Sequence, residues 1–279
     1  YALGAETKII GRSDTCSVPS MILTIPSVGS SSSNPSMELM LELEPELIIA
    51  DGMLSSKTEI LNQLADLGIP VYIDSCTNGS RVTQILETLG QILDKKEIAQ
   101  EISDWMNYYI NLVDERIATI PQNERYTVYV EVLSTIWRSA NTDSNYGLII
   151  NLAGGLNIAP LNTSSTLPTL SPEYVIEQNP NVIIKMVSQN PVGSLEDLQT
   201  VRTEMLNRDV LSDVDAVLND RVFVFNSKLT QGIQYPISLL YLAKCMYPDL
   251  FSDIDPGQLL ENQFQKYIGM PPEGVYLIP

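Results

Sequence analysis

The sequence predicts an α/β protein: two Rossmann-like lobes with mainly parallel sheets joined by one long α-helix. Three observations carry this prediction. Short Ile/Val-rich runs alternate with helical patterns in both halves, one uninterrupted helical stripe lies between them, and an internal repeat relates the halves. Length permits it, because 279 residues bury roughly three quarters of the unfolded surface without a disulfide or metal staple.

In the first half the apolar runs 8–11, 46–50 and 70–73, bounded by Gly, Pro and Ser, read as strands, and helical spacing occupies 37–43, 57–67 and 81–93. Runs without polar alternation belong to parallel strands covered on both faces. The long helix follows over 95–120, where Ile98, Ile102, Trp105, Met106, Tyr109, Val113, Ile117 and Ile120 recur at three- and four-residue steps. Asp94 with Glu97 makes a capping-box-like start, and Pro121 the stop. About 25 residues at ~1.5 Å each give a rod of roughly 37 Å, long enough to be a strut between lobes. An ordinary amphipathic helix lying on one sheet would show the same stripe. Beyond it, strand runs at 127–132, 182–186 and 222–225 alternate with helical patterns near 145–153, 172–178, 195–206 and 234–246. The expected division is an N-terminal lobe 1–94, a linking helix 95–120 and a C-terminal lobe 121–279.

Residues 36–49, SMELMLELEPELII, and 171–184, SPEYVIEQNPNVII, align at a constant offset of 135. Ser36 matches Ser171, Glu38 matches Glu173, Glu42 matches Glu177, Pro45 matches Pro180, and Ile48-Ile49 match Ile183-Ile184; positions 41/176 and 47/182 are aliphatic in both. Each half thus encodes a serine N-cap, a helix, a proline break and a buried strand. Helix-start electrostatics accounts for the first-turn acids by itself. As a matched exposed pair, Glu38 and Glu173 also suit a partner with two symmetry-related basic pockets.

Composition removes whole classes of chemistry. There are 34 Asp+Glu against 16 Lys+Arg, a formal net charge of −18, and no histidine. Imidazole-based zinc sites, Ser-His-Asp or Cys-His nucleophiles and axial-His haem ligation are therefore excluded. Binding nucleic acid or an anionic membrane needs a basic patch, and the longest basic run is Lys95-Lys96. No apolar run reaches the ~20 residues of a bilayer span. Cys16, Cys76 and Cys245 lack metal-ligand spacing; Cys16 and Cys76 each follow a predicted strand in the same half and either pair or stay free thiols. Tyr1-Ala2-Leu3-Gly4 reads as the end of a helix stopped by glycine, so a segment upstream is expected.

Taken in order, these segments resemble the solute-binding proteins of ABC importers, in the branch that carries iron-siderophore, haem and cobalamin. YALGAETKIIG at 1–11 is similar to that family's opening helix end and second strand, VGSSSSNPSMELMLELEPELIIAD at 28–51 to its glycine-serine loop and helix-Pro-strand unit, and LGIPVYID at 67–74 to the next strand. In the second half, Ala153-Gly154-Gly155-Leu156-Asn157-Ile158 matches the family's "aGG-x-N-i" signature, and 170–183 its second helix-Pro-strand unit. The resemblance implies two lobes around a cargo cleft, with Glu38 and Glu173 docking into arginines of a dimeric ABC importer permease. It further implies a monomeric, non-enzymatic protein with no cofactor of its own, working outside the cytoplasmic membrane and tethered through a segment not in this chain. The family's first strand, expected before Tyr1, has no counterpart here. The strand-like tail 274–278 is a candidate to fill its place, a surface strand or loose end being the alternative.

Ligands of open α/β sheets gather beyond the carboxyl ends of the strands. Here those positions are the loops 12–16, 30–34, 52–55, 75–79, 134–141, 185–190 and 226–235. Within them Trp137 and Tyr235 offer rings to stack on a macrocycle or chelate, and Arg12, Arg138, Lys185 and Lys228 offer charge to anionic groups. Each also has a plain reading, as a core cap or a solvated side chain. An aromatic residue at 137 resembles the family's cleft aromatic. The opposite polarity is open as well, since Asp14, Asp51 and Asp74 each lie just past a strand and would suit a cationic cargo or bare metal ion. Ser30 to Ser33 are either linker-like filler or hydroxyl donors. The expected function is capture of an iron chelate or tetrapyrrole (siderophore, haem or corrinoid) and its delivery to an importer. The alternatives are a chelatase-like metal-handling enzyme, for which no histidine or paired-carboxylate motif is present, and a ligand-sensing receptor domain of the same fold.

Overall fold

In the computed structural model, which describes residues 1–76, 79–161, 163–188 and 192–278, the glycine-serine loop folds into a small hairpin of β1 (Gly29–Ser31) and β2 (Asn34–Pro35). It feeds α1 (Met37–Glu42), capped by Ser36, whose hydroxyl accepts from Leu39 N at 3.3 Å. β3 (Ile48–Ala50) then pairs in parallel with β4 (Val71–Ile73) across the crossover helix α2 (Thr58–Asp66), Ile48 opposite Val71. α3 (Gly79–Ile92) and α4 (Lys96–Ile117) follow. Two expectations fail in this half. Residues 8–11 form no strand: Glu6–Lys8 make one 3-10 turn, and an isolated bridge joins Arg12 to Ser27. Among the described residues no strand lies beside them to complete a ladder, and Ile10 is left 43% exposed. Asp94 does not cap α4 either. It adopts a left-handed φ of 56°, and with Lys95 N donating to Gly90 O at 2.7 Å it terminates α3.

The second half runs β5 (Thr127–Val132), α5 (Asn145–Leu152), β6 (Leu156–Asn157), α6 (Pro172–Gln178), β7 (Val182–Val187), α7 (Leu195–Leu206), α8 (Asp215–Leu218), β8 (Val222–Asn226), α9 (Tyr235–Met246), α10 (Pro256–Tyr267) and β9 (Leu277–Ile278). These strands form one sheet in the order β6-β5-β7-β8-β9, parallel except for β9. β7 is buried at every position and β5 at all but its first, as strands with helices on both faces must be. Tyr129, Ile183 and Val222 pack against Val175, Met205 and Leu211, while Val224 packs with Leu198 and Ile278. The double glycine after α5 is required by geometry. Gly154 has φ of 91°, and a Cβ on Gly155 would stand 2.7 Å from Val128 Cγ2, so only glycine lets the chain turn closely into β6. The tail 274–278 does not serve the first half's sheet. β9 runs antiparallel to β8, Ile278 opposite Val224, where it covers an edge that would otherwise be open.

The 135-residue repeat is a repeat of structure. Ser171 caps α6 as Ser36 caps α1, Met40 and Val175 are the buried anchors, and Glu44 and Asn179 take left-handed φ of 49° and 40° before the matched prolines. β3 and β7 follow in step.

By contact the chain divides into Tyr1–Asp104 with Glu261–Glu273, and Trp105–Leu260 with the residues from Gly274 onward. The boundary thus falls inside α4, and 261–273 belongs with the first unit instead of the expected C-terminal lobe. Specific bonds hold that segment there. Glu101 of α4 accepts from Lys266 Nζ at 2.6 Å and from Tyr267 OH at 3.1 Å. Glu273 accepts from both the amide and the hydroxyl of Ser20.

Candidate functional site

At the carboxyl end of the second unit's sheet, hydrogen bonds converge on one buried carboxylate. Glu131, near the end of β5, is opposite Lys185 of β7 in the parallel ladder. Lys185 Nζ donates to Glu131 Oε1 at 2.8 Å and to Leu133 O at 2.6 Å. Arg208 grips both carboxylate oxygens, Nη1 at 2.6 Å and Nη2 at 2.8 Å. Tyr129 OH and Trp137 N each donate to Oε2 at 3.0 Å. Burial pushes the Glu131 carboxyl up, but the bonds and charges of Arg208 and Lys185 outweigh it and hold the group at about 2. The same burial, reinforced by this carboxylate, pushes the Tyr129 phenol up.

The cluster fixes the loop after β5. Besides its amide bond to Glu131, Trp137 carries Arg208 Cζ 5.4 Å from its ring centroid and stacks with Tyr129 at 6.3 Å. Its carbonyl accepts from Leu170 N at 2.9 Å, and its backbone is left-handed at φ 65°. Trp137 is half-buried against the core, with its indole anchored beneath. The next residue, Arg138, is half-buried and bridges Thr169 through its backbone. Among the described residues its guanidinium makes no hydrogen bond or ion pair.

The other predicted contacts sort differently. Lys185 is not an open cation: its side chain is 8% exposed and neutralised by Glu131. Tyr235, at the start of α9, is buried and so offers no free ring face. Lys228 is half-buried just past β8, its amide donating to Asn226 Oδ1 at 3.0 Å. In the first unit Arg12 ties its own loop together, donating to Ile25 O and Ser13 O at 3.1 Å and lying 3.7 Å from Asp14. Asp51 caps the turn Gly52–Ser56 through Met53 N at 2.8 Å. Asp74 accepts from Arg81 Nε at 3.1 Å and Ser75 N at 2.7 Å, and Arg81 holds its carboxyl below the usual range. Local bonding therefore engages Asp14, Asp51 and Asp74, which do not form a ligand set. Among the described residues no group of three His, Cys, Asp or Glu is placed to hold a metal ion. The serines brace the hairpin, Ser31 Oγ lying 2.8 Å from Ser33 Oγ. Cys16, Cys76 and Cys245 are free, so the first two do not pair. Residues 77–78 of the loop 75–79, and 189–190 of the loop 185–190, lie outside the described residues. Glu38 and Glu173 are exposed in the first turns of α1 and α6.

Glu131 and Arg208 were not expected from the sequence, although a signal exists for Glu131: TVYVEV and VIIKMV each place one charge, of opposite sign, inside a strand otherwise free of charge. Two such strands adjacent in parallel register pair those charges.

A family model described as periplasmic binding protein matches residues 1–229. The chain belongs to that family. The resemblance to ABC-importer solute-binding proteins therefore holds. Among curated relatives, the uncharacterized ABC transporter substrate-binding lipoprotein YvrC of Bacillus subtilis is 24% identical over 259 residues, covering 91% of this chain and 77% of YvrC. The molybdate-binding protein MolA of Haemophilus influenzae is 22% identical over 259 residues, covering 83% and 69%. A vitamin B12-binding protein of Yersinia pestis is 26% identical over 195 residues, covering 70% and 68%. Among solved structures, the TroA-like periplasmic binding protein FepB of Veillonella parvula superposes with a TM-score of 0.83 at 24% identity, over 99% of this chain and 89% of FepB. The two-lobe α/β fold is thus the family's own. No helix among the described residues is long and apolar enough to cross a membrane.

Proposed function

We propose that this chain is the extracytoplasmic substrate-binding protein of an ABC importer, and that its cargo is an anionic metal chelate or tetrapyrrole: an iron siderophore, haem or corrinoid. The observation that carries the cargo reading is Arg138, a half-buried guanidinium with no partner among the described residues, set beside an indole locked in place. A conjugated ligand stacks on the open part of Trp137 and directs a carboxylate or other anionic group to Arg138. Lys228, just past β8 and two strands away from β5 in the sheet, supplies a second cation, while Arg12, Lys185 and Tyr235 act as supports. Glu38 and Glu173 dock the importer's permease, and the protein works as a tethered monomer without catalysis. The vitamin B12-binding relative supports a bulky cargo. A second reading, a bare oxyanion, draws on the molybdate-binding relative and on the same arginine.

A thermal-shift panel of ferric siderophores, haem, cyanocobalamin and molybdate tests both readings. Ligand at 100 times Kd adds about 2.7 kcal/mol, a rise of roughly 5–10 °C for a unit of this size. One of the first three is expected to give that rise, and Arg138→Ala to reduce it. A rise with molybdate alone replaces the chelate reading by the oxyanion one.

A further inference from the structure

The first-turn glutamates are not alone on their helix faces. One turn further, Leu41 and Ile176 stand at equivalent positions of the repeat and are 37% and 42% exposed. Glu42 and Glu177, both exposed, come next. Residues at i, i+3 and i+4 share one face of a helix. α1 and α6 therefore each present an acid, an aliphatic side chain and a second acid together, over the same buried anchor, Met40 or Val175, and between the same serine cap and left-handed stop. Neither helix formation nor core packing calls for an aliphatic group at this step, because the preceding residue already supplies the anchor. A single exposed leucine on a surface needs no explanation. The same feature at the same step of both units does.

We infer that Leu41 and Ile176 are contact residues for the importer's permease, each seating in an apolar spot framed by basic groups that pair with Glu38/Glu42 and Glu173/Glu177. The inference rests on the docking role proposed above for Glu38 and Glu173, and it adds the chemistry of the receiving surface: two equivalent pockets, each with a basic rim and an apolar floor. The division of labour is physical. Rim charges steer approach and set register, whereas a desolvated side chain at the centre slows release.

The test uses the permease–ATPase complex that the wild-type chain binds, reconstituted in nanodiscs, with association and dissociation followed by surface plasmon resonance. The double variant Leu41→Ser/Ile176→Ser is expected to bind about tenfold more weakly, mainly through faster dissociation, with unchanged Tm. Leu41→Met/Ile176→Met is expected to bind as wild type, and Glu38→Arg/Glu173→Arg to abolish binding. If serine melts the short helices, seen as a fall in Tm, Leu41→Gln/Ile176→Gln takes its place, since glutamine keeps helix propensity without the apolar contact. Wild-type binding by the polar pair, with loss by the arginine pair, overturns this inference and leaves the glutamate docking standing. Wild-type binding by both pairs overturns both.

Discussion

Replacing Glu131 by glutamine removes the one negative charge that Lys185 and Arg208 share. Breaking a buried ion pair from one side leaves uncompensated charge in the core and costs about 3–5 kcal/mol. The carboxyl itself gives a similar figure: held at about 2 against an ordinary value near 4.5, it contributes roughly 3 kcal/mol to folding at neutral pH. Because the folded-state value is the lower one, that stability is complete above pH ~4.5 and is lost as pH falls toward ~2. The assay is urea denaturation of wild type and Glu131→Gln at pH 7, 5, 3.5 and 2.5, followed by tryptophan fluorescence. Trp105 and Trp137 both lie in the second unit, so the signal reports the unit that holds the cluster. At pH 7 the variant is expected to be less stable by about 3 kcal/mol, with Tm lower by roughly 10 °C, and the two curves are expected to converge in acid. A gap under ~1 kcal/mol at pH 7, or a gap unchanged between pH 5 and 2.5, refutes the assignment of Glu131 as the keystone of this network.

Trp137→Leu, measured by ligand titration, should weaken binding of a conjugated cargo about tenfold while leaving molybdate binding, if any, unchanged. Gly147→Ala should destabilise by more than about 2 kcal/mol in the same urea assay, because its Cβ would sit 1.9 Å from the carbonyl oxygen of Asn141; wild-type stability would show that this turn yields. Thiol titration with Ellman's reagent should detect Cys16 quickly, Cys76 more slowly and Cys245 only in denaturant: Cys16 is exposed, burial together with Asp74 and Asp51 raises the Cys76 thiol, and burial pushes Cys245 up to about 12.

The parts of this architecture that the sequence revealed are those set by local chemistry. The strand 127–132 and the helices at 172–178 and 195–206 are marked by apolar runs, serine caps and prolines, and they form where those marks stand. The repeat was legible for the same reason, down to a left-handed residue at 44 and 179 that the aligned prolines signal only indirectly. Long-range partners were not legible. Run 8–11 has strand chemistry but, among the described residues, no strand to pair with, and tail 274–278 found its neighbour in β8, a choice made by an open edge elsewhere in the chain. α10 went unread although Leu260, Phe264 and Tyr267 recur at four- and three-residue spacing, and its sharing between two units depends on Glu101, 165 and 166 residues before its partners. At the candidate site, position in the sequence put Trp137 and Arg138 in the loop after β5, where they stand in the structure. Lys185 was misjudged because it was counted with the loop 185–190 although the strand read over 182–186 contains it, and Glu131 went unseen because its meaning depends on the residue across the ladder.

Residues 261–278 serve both units, although they follow one another in the chain. The first unit takes in 261–273 and the second the strand Leu277–Ile278, so a nascent chain stalled anywhere before these residues carries two unfinished halves. The same stretch of chain therefore completes both units, and a cut ahead of residue 261 takes a piece from each.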